Sequence, residues 1–120
     1  MHYQENKNER LLNKAKKLLF EHVPYTISVF EEEDATYFIF SELGDYIVEN
    51  IDNEDYISPV IAFVELLLSM EEEVIETLVV IELFQKVYLS KNIDAKFGVL
   101  LKSKSREIFE RYRKEHEKWQ

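Results

Sequence analysis

Only two glycines and two prolines punctuate the 120 residues of this chain. Sandwiches and barrels turn every few residues, and tight turns draw on glycine and proline for backbone angles that other residues resist. A chain so short of both must cover its length with long elements, and helices do this most economically. The hydrophobic share of 46% supplies enough material for one core and argues against a disordered chain. The expectation is all-α: a single helical domain over 1–120, a bundle of about five to six helices around a long apolar central helix.

Periodicity places the elements. Leu11, Leu12, Ala15, Leu18 and Leu19 form one stripe, so Asn8 to His22 reads as an amphipathic helix. Pro24 ends it, because the residue before proline is driven from the helical region. Pro24 to Asp34 admits strand alternation, through Ile27 and Val29, or a short helix, and the short helix is preferred. Tyr37, Phe40, Leu43, Ile47 and Ile51 repeat at threes and fours, which predicts a helix over Thr36 to Ile51. Gly44 inside it costs roughly 1 kcal/mol against alanine, and so implies a close helix contact or a bend.

Ser58-Pro59 has the form of an N-cap followed by the first helical residue, opening a helix through Leu68. Ser69 stands three residues before Glu72, the spacing of a capping box, which predicts a new helix from about Met70. Glu71, Glu72 and Glu73 in its first turn complement the helix dipole. From Val74 to Phe84 it is apolar nearly all round, which marks it as the central helix. Ser90 to Asp94 reads as a turn, and Ala95 to Leu101 as one or two helical turns interrupted at Gly98. The last helix starts near Ser103 or Ser105, with Glu107–Arg111 and Glu110–Lys114 as i, i+4 pairs. Trp119 either anchors the end of that helix or hangs free.

Several chemistries lack their residues. There is no cysteine, hence no disulfide and no thiolate metal site. The most apolar window, Val60 to Leu68, contains Glu65 and is about nine residues long, where a membrane helix needs about twenty. With the polar stretch MHYQENKNER at the N-terminus, the chain reads as soluble, cytoplasmic and free of the membrane. His2, His22 and His116 form no metal-binding spacing, and Gly44 and Gly98 are too far apart for a phosphate loop. The expectation is no enzyme, no catalytic residue, no metal and no cofactor. Glu65 and Glu82 stand inside apolar helices. A structural role, as a loop cap, an ion-pair partner or a group reaching solvent, is favoured over a carboxylate metal site, which remains a minor alternative. Glu82 in particular is expected to have a donor beside it.

Charge is segregated along the chain. Met1–His22 carries a net charge of +2, Val23–Asp94 −15 and Ala95–Gln120 +4. So acidic a middle repels phosphate backbones and attracts basic surfaces, which makes nucleic acid an unlikely partner and a basic protein the favoured one. The candidate contact residues are Glu31, Glu32, Glu33 and Asp34, then Asp52, Glu54 and Asp55, then Glu71, Glu72 and Glu73. Tyr37, Tyr46 and Tyr56 are candidate aromatic anchors among them. In a short bundle, acidic clusters at helix ends can share one end and form one outward-facing negative side.

Leu67-Leu68-Ser69, the acids Glu71 to Glu73, the interior Glu82 and the helix entry Lys104-Ser105-Arg106 recur in this order in a group of small bacterial all-helical proteins. Over Tyr37 to Trp119 this chain resembles that group, several of whose members resemble immunity proteins encoded beside secreted or contact-delivered toxins. It departs from the pattern at Lys102-Ser103, where relatives often have Gly-Pro. The resemblance implies an all-helical fold and no catalytic residues. It also implies, as a function, neutralisation of a cognate basic toxin, such as a nuclease, by steric and electrostatic occlusion. An adaptor or regulatory module without a toxin partner is the alternative.

Overall fold

In a computed structural model the chain is described over residues 6–23 and 35–118. Six helices occupy those residues, with no strand among them: α1 Lys7–His22, α2 Thr36–Asn50, α3 Glu54–Ser69, α4, α5 Ile93–Leu100 and α6 Ser103–Lys118. Helix α4 is continuous but has three parts, α-helical Glu73–Leu78, a π-helical turn Val79–Phe84, and α-helical Gln85–Tyr88. The all-α expectation holds. The acidic run Glu31–Asp34, the short helix expected after Pro24, and Trp119 lie outside the described residues.

Helix α1 begins where the Asn6 side chain accepts the Glu9 N–H at 2.8 Å, and it stops at His22, as the proline predicts. Ala15 and Leu19 of its stripe are fully buried. In α2 the inward face is Ile39, Phe40, Leu43 and Ile47, while Tyr37 points out. The predicted stripe is therefore right from Phe40 onward and off by one position at its start.

Three helix boundaries differ from expectation. Helix α3 starts at Glu54, so Pro59 lies inside it and Ser58 is no cap. Glu54 and Asp55 at the positive end of the dipole, together with buried Ile57, extend the helix N-terminally at the loss of one proline N–H. Ser69 caps nothing downstream. Its Oγ donates to the Leu66 carbonyl at 2.6 Å and so belongs to the end of α3. Helix α4 then begins at Glu73 instead of Met70, after Glu71 takes a left-handed φ of 55°. The third difference is α5, which runs through Gly98 without interruption.

Helix α4 is the hub, packed against each of the other five. Ile75, Leu78, Val79, Val80, Leu83, Phe84 and Val87 are buried along it, whereas Ile81 is 52% exposed, so the helix is not apolar all round. Its C-terminal half sits in an aromatic cluster. The Phe84 ring lies 5.0 Å from Phe109 and 5.9 Å from Phe97, and Phe97 lies 5.3 Å from Phe109, each edge-on. Burying each such ring stabilises by about 1.5–3 kcal/mol, and edge-to-face pairing adds to that. At the other half, Phe40 and Phe63 join α2 to α3 at 5.9 Å.

Two contacts fix how the neighbours meet α4. A Cβ at Gly44 would lie 2.7 Å from Lys86 Cβ and 3.0 Å from the Leu83 carbonyl oxygen, so the missing side chain serves a close approach of α2 to α4. Tyr88, in the aromatic cluster, donates its hydroxyl to the Phe109 carbonyl at 2.7 Å, tying α4 to α6. Burial, reinforced by the Glu110 charge, holds that phenol above its usual range, so it stays a donor.

Both contacts are testable. Neither the Leu83 carbonyl nor Lys86 Cβ is the loose end of a flexible chain, so in Gly44→Ala overpacking of about 1–3 kcal/mol outweighs a helix-propensity gain of about 1 kcal/mol. Urea denaturation should show a net loss of roughly 1 kcal/mol. Tyr88→Phe leaves the Phe109 carbonyl without its donor and should lower stability by about 1–2 kcal/mol in the same measurement.

Candidate protein-docking surface

The acidic clusters do not share one end. Asp52–Asp55 precede α3 and open it, and Glu71–Glu73 follow it, so its 16 residues hold them about 24 Å apart. Among the described residues, the acidic clusters expected on one side are divided between the two ends of α3.

The two ends are electrostatically unlike. At the Glu71 end the basic terminal segments fold back onto the acids. Lys104 of α6 donates to Glu71, Lys7 of α1 meets Glu72 at 3.4 Å, and Arg111 meets Glu76 at 3.8 Å. Tyr112 adds a hydroxyl donor to Glu76 at 3.2 Å. Here Leu68, Glu71, Glu72, Glu73, Glu76 and Lys104 line a hollow of about 260 Å³. The Lys104 hydrogen bond, and then its charge, hold the Glu71 carboxyl below the usual glutamate range.

At the other end, Asn50 ties the chain into its turn, donating from its side chain to the Tyr46 carbonyl at 2.9 Å while its own carbonyl accepts the Asn53 N–H at 2.8 Å. The segment from Val48 to Asp55, with Ile93, surrounds an open hollow of about 670 Å³ that presents Glu49, Asp52, Glu54 and Asp55. Asp52 is paired with Lys96 at 3.1 Å, both exposed. Among the described residues, Glu49, Glu54 and Asp55 have no ion pair. Tyr46 and Tyr56 meet edge-on at 6.3 Å beside this end, with Tyr56 39% exposed and Tyr46 half-buried. Tyr37 sits at the opposite end of α2, about 14 Å along the axis from Tyr46, and so does not join them.

The two interior glutamates separate. Glu65 caps a loop, as one of its expected roles required: its Oε2 accepts the Lys102 N–H at 2.8 Å. Glu82 lies half-buried on the π-helical turn, and no hydrogen-bond donor is found for it among the described residues. Among the described residues the donor expected beside it is absent; helical periodicity sets Glu82 at the edge of the face formed by Val79, Val80, Leu83 and Phe84, where it is half-buried. Among the described residues no three histidines or carboxylates come together as metal ligands, and no helix is long and apolar enough to cross a membrane.

Arg113 bridges its i, i+3 neighbour Glu110 at 2.6 Å, while two pairs had no local signal: Arg113 with Asp94 at 3.7 Å, and Lys86 with Asp45 at 3.3 Å across α2 and α4. The i, i+4 pairs expected along α6 give way to these: Glu110 pairs with Arg113, and Arg111 reaches α4. His116 stacks on Tyr88 with ring centres 5.5 Å apart, and His22 is exposed.

The Glu71–Lys104 pair predicts a titration. Because the folded carboxyl is lowered, its contribution to stability is complete above the ordinary glutamate range and is lost as pH falls through the lowered value. Carbon-13 NMR should show Glu71 titrating below the ordinary glutamate range, and Lys104→Ala should return it there. Comparison with protein families, with curated proteins and with solved structures finds no match to this chain.

Proposed function

We propose that this chain is an immunity-type protein that binds a basic partner, a cognate toxin domain such as a nuclease, and covers its active surface. The observation that carries this reading is the contrast between the two ends of α3. Lysines and an arginine of the chain itself answer Glu71, Glu72 and Glu76 and leave Glu73, while at the α2–α3 turn Lys96 answers Asp52 and leaves Glu49, Glu54 and Asp55 facing solvent without an ion pair among the described residues. Unanswered carboxylates around an open hollow attract a cationic surface, speed its encounter and reject acidic competitors. Tyr56 at the border supplies the aromatic anchor that charge alone lacks. Occlusion needs no reacting group on this chain, only a tight fit over the partner's cationic site.

The test is to isolate the partner with the full-length chain and measure both the complex and the partner's activity. A stoichiometric complex with a basic protein whose toxic activity is blocked is the expected result. The double reversal Asp52→Lys, Glu54→Lys should weaken it by about tenfold or more, while Glu71→Lys leaves it nearly unchanged. An affinity indifferent to the first reversal overturns the acidic-end reading. A bound basic partner with no toxic activity to block returns the chain to the adaptor class.

A further inference from the structure

The outer face of α3 is unlike the rest of this surface. In a chain with 32% charged residues, Ser58, Ala62, Leu66 and Ser69 follow one another along that face, exposed and uncharged. The one charge between Asp55 and Glu71, Glu65, is engaged with the Lys102 N–H. Across from this face, at the end of α5, Leu100 is 42% exposed. Between them runs a groove of about 520 Å³ in which Ile57, Ile61, Ala62 and Leu100 form an apolar wall beside Ser58, Glu65 and Lys102. It is no isolated depression. The groove and the acidic hollow share Ile51, Asp52 and Glu54, so the apolar wall adjoins the region that presents Glu49, Glu54 and Asp55.

The charge around these joined hollows selects the occupant. Five carboxylates, Glu49, Asp52, Glu54, Asp55 and Glu65, stand against two ammonium groups, Lys96 and Lys102. We propose that the groove is the anchor pocket for a cationic partner segment. That segment inserts one apolar side chain between α3 and α5 and lays its flanking lysine or arginine over Asp52 and Glu54, displacing exposed Lys96 from Asp52. A second copy of this chain fits less well, because each copy brings a net charge of −9 to the other. The inference rests on the basic-partner reading and adds to it where the non-polar contact is made. An apolar anchor seated beside complementary charge is how an interface of this kind gains slow dissociation as well as fast association.

Two short labelled peptides test it against the full-length protein at low salt. One carries a single leucine flanked by lysine and arginine, and the other replaces that leucine with serine at the same charge. Fluorescence anisotropy should show the leucine peptide binding about tenfold tighter. Its amide NMR shifts should centre on Ile57, Ile61, Ala62 and Leu100. Leu100→Ser and Ala62→Gln, both at exposed positions, should erase the difference between the peptides, with circular dichroism confirming an intact fold. Asp52→Lys should weaken both peptides alike. Equal binding of the two peptides to the native chain overturns the groove and leaves the acidic-end reading standing. Binding of neither overturns both. A concentration-dependent dimer abolished by Leu100→Ser assigns the groove to a second copy and overturns the proposal.

Discussion

Helix α4 has more apolar circumference than one neighbour can cover, and the other five helices are arranged by that excess. Ile75, Leu78, Val79, Leu83, Phe84 and Val87 are each fully buried, yet they face different directions around one axis. Helix α2 closes one side and comes near enough that Gly44 meets the Leu83 carbonyl. Helices α5 and α6 close another through Phe97 and Phe109, with the Tyr88 hydroxyl pinning α6 in place. Because the hub takes the apolar faces inward, the turns at both ends of α3 are pushed to the periphery, and the carboxylates travel with them.

The π-helical turn is part of how α4 meets so many partners. A turn with i→i+5 bonds inserts one extra residue and rotates the C-terminal part of the helix relative to the N-terminal part. The Gln85 N–H bonds to the Val80 carbonyl across it, and Val79, Val80, Leu83 and Phe84 are all buried within those six residues. The spacing of Val79, Val80, Leu83 and Phe84 is that of one helix face, so Ile81 and Glu82 fall on the other side of the axis, Ile81 exposed and Glu82 half-buried. Glu82, which looks like a buried group in the sequence, therefore lies at the edge of the buried face.

How much was legible depends on the range of the interaction involved. Helix periodicity is local, and it located α1, most of α2 and α6 because their apolar faces repeat over several turns. Boundaries were less legible. Ser58-Pro59 and Ser69-x-x-Glu72 each have the form of a helix start, but nothing in either pattern says whether a stronger signal stands just upstream. Glu54 and Asp55 at the dipole, and Ser69 bonding backward to Leu66, decided those cases. Glu71 takes a left-handed angle that glycine or asparagine usually announces, so that turn carried no warning. The candidate site was legible only as an inventory of acids. Which acids are answered depends on contacts between distant segments, such as Lys7 with Glu72 and Lys104 with Glu71, that no spacing encodes.

Segregation of charge along a sequence therefore does not amount to segregation in space. The acidic middle and the basic ends read as one negative body with two positive tails, but among the described residues helix packing brings three cations of the tails, Lys7, Lys104 and Arg111, to the Glu71 end of α3 and one, Lys96, to the Asp52 end. Lys7, Lys104 and Arg111 arrive at the Glu71 end because α1 and α6 must cover α4, whatever their charge. The α2–α3 turn lies at the far end of a 16-residue helix, and the one cation paired with an acid there, among the described residues, is Lys96 of α5. Core packing, driven by apolar burial, thus decides which carboxylates are left without an ion pair among the described residues. The surplus of negative charge falls beside the uncharged face of α3 and the groove that opens from it. The basic partner proposed above would meet charge and apolar wall within the same footprint, and the two together would hold what either alone would attract only weakly.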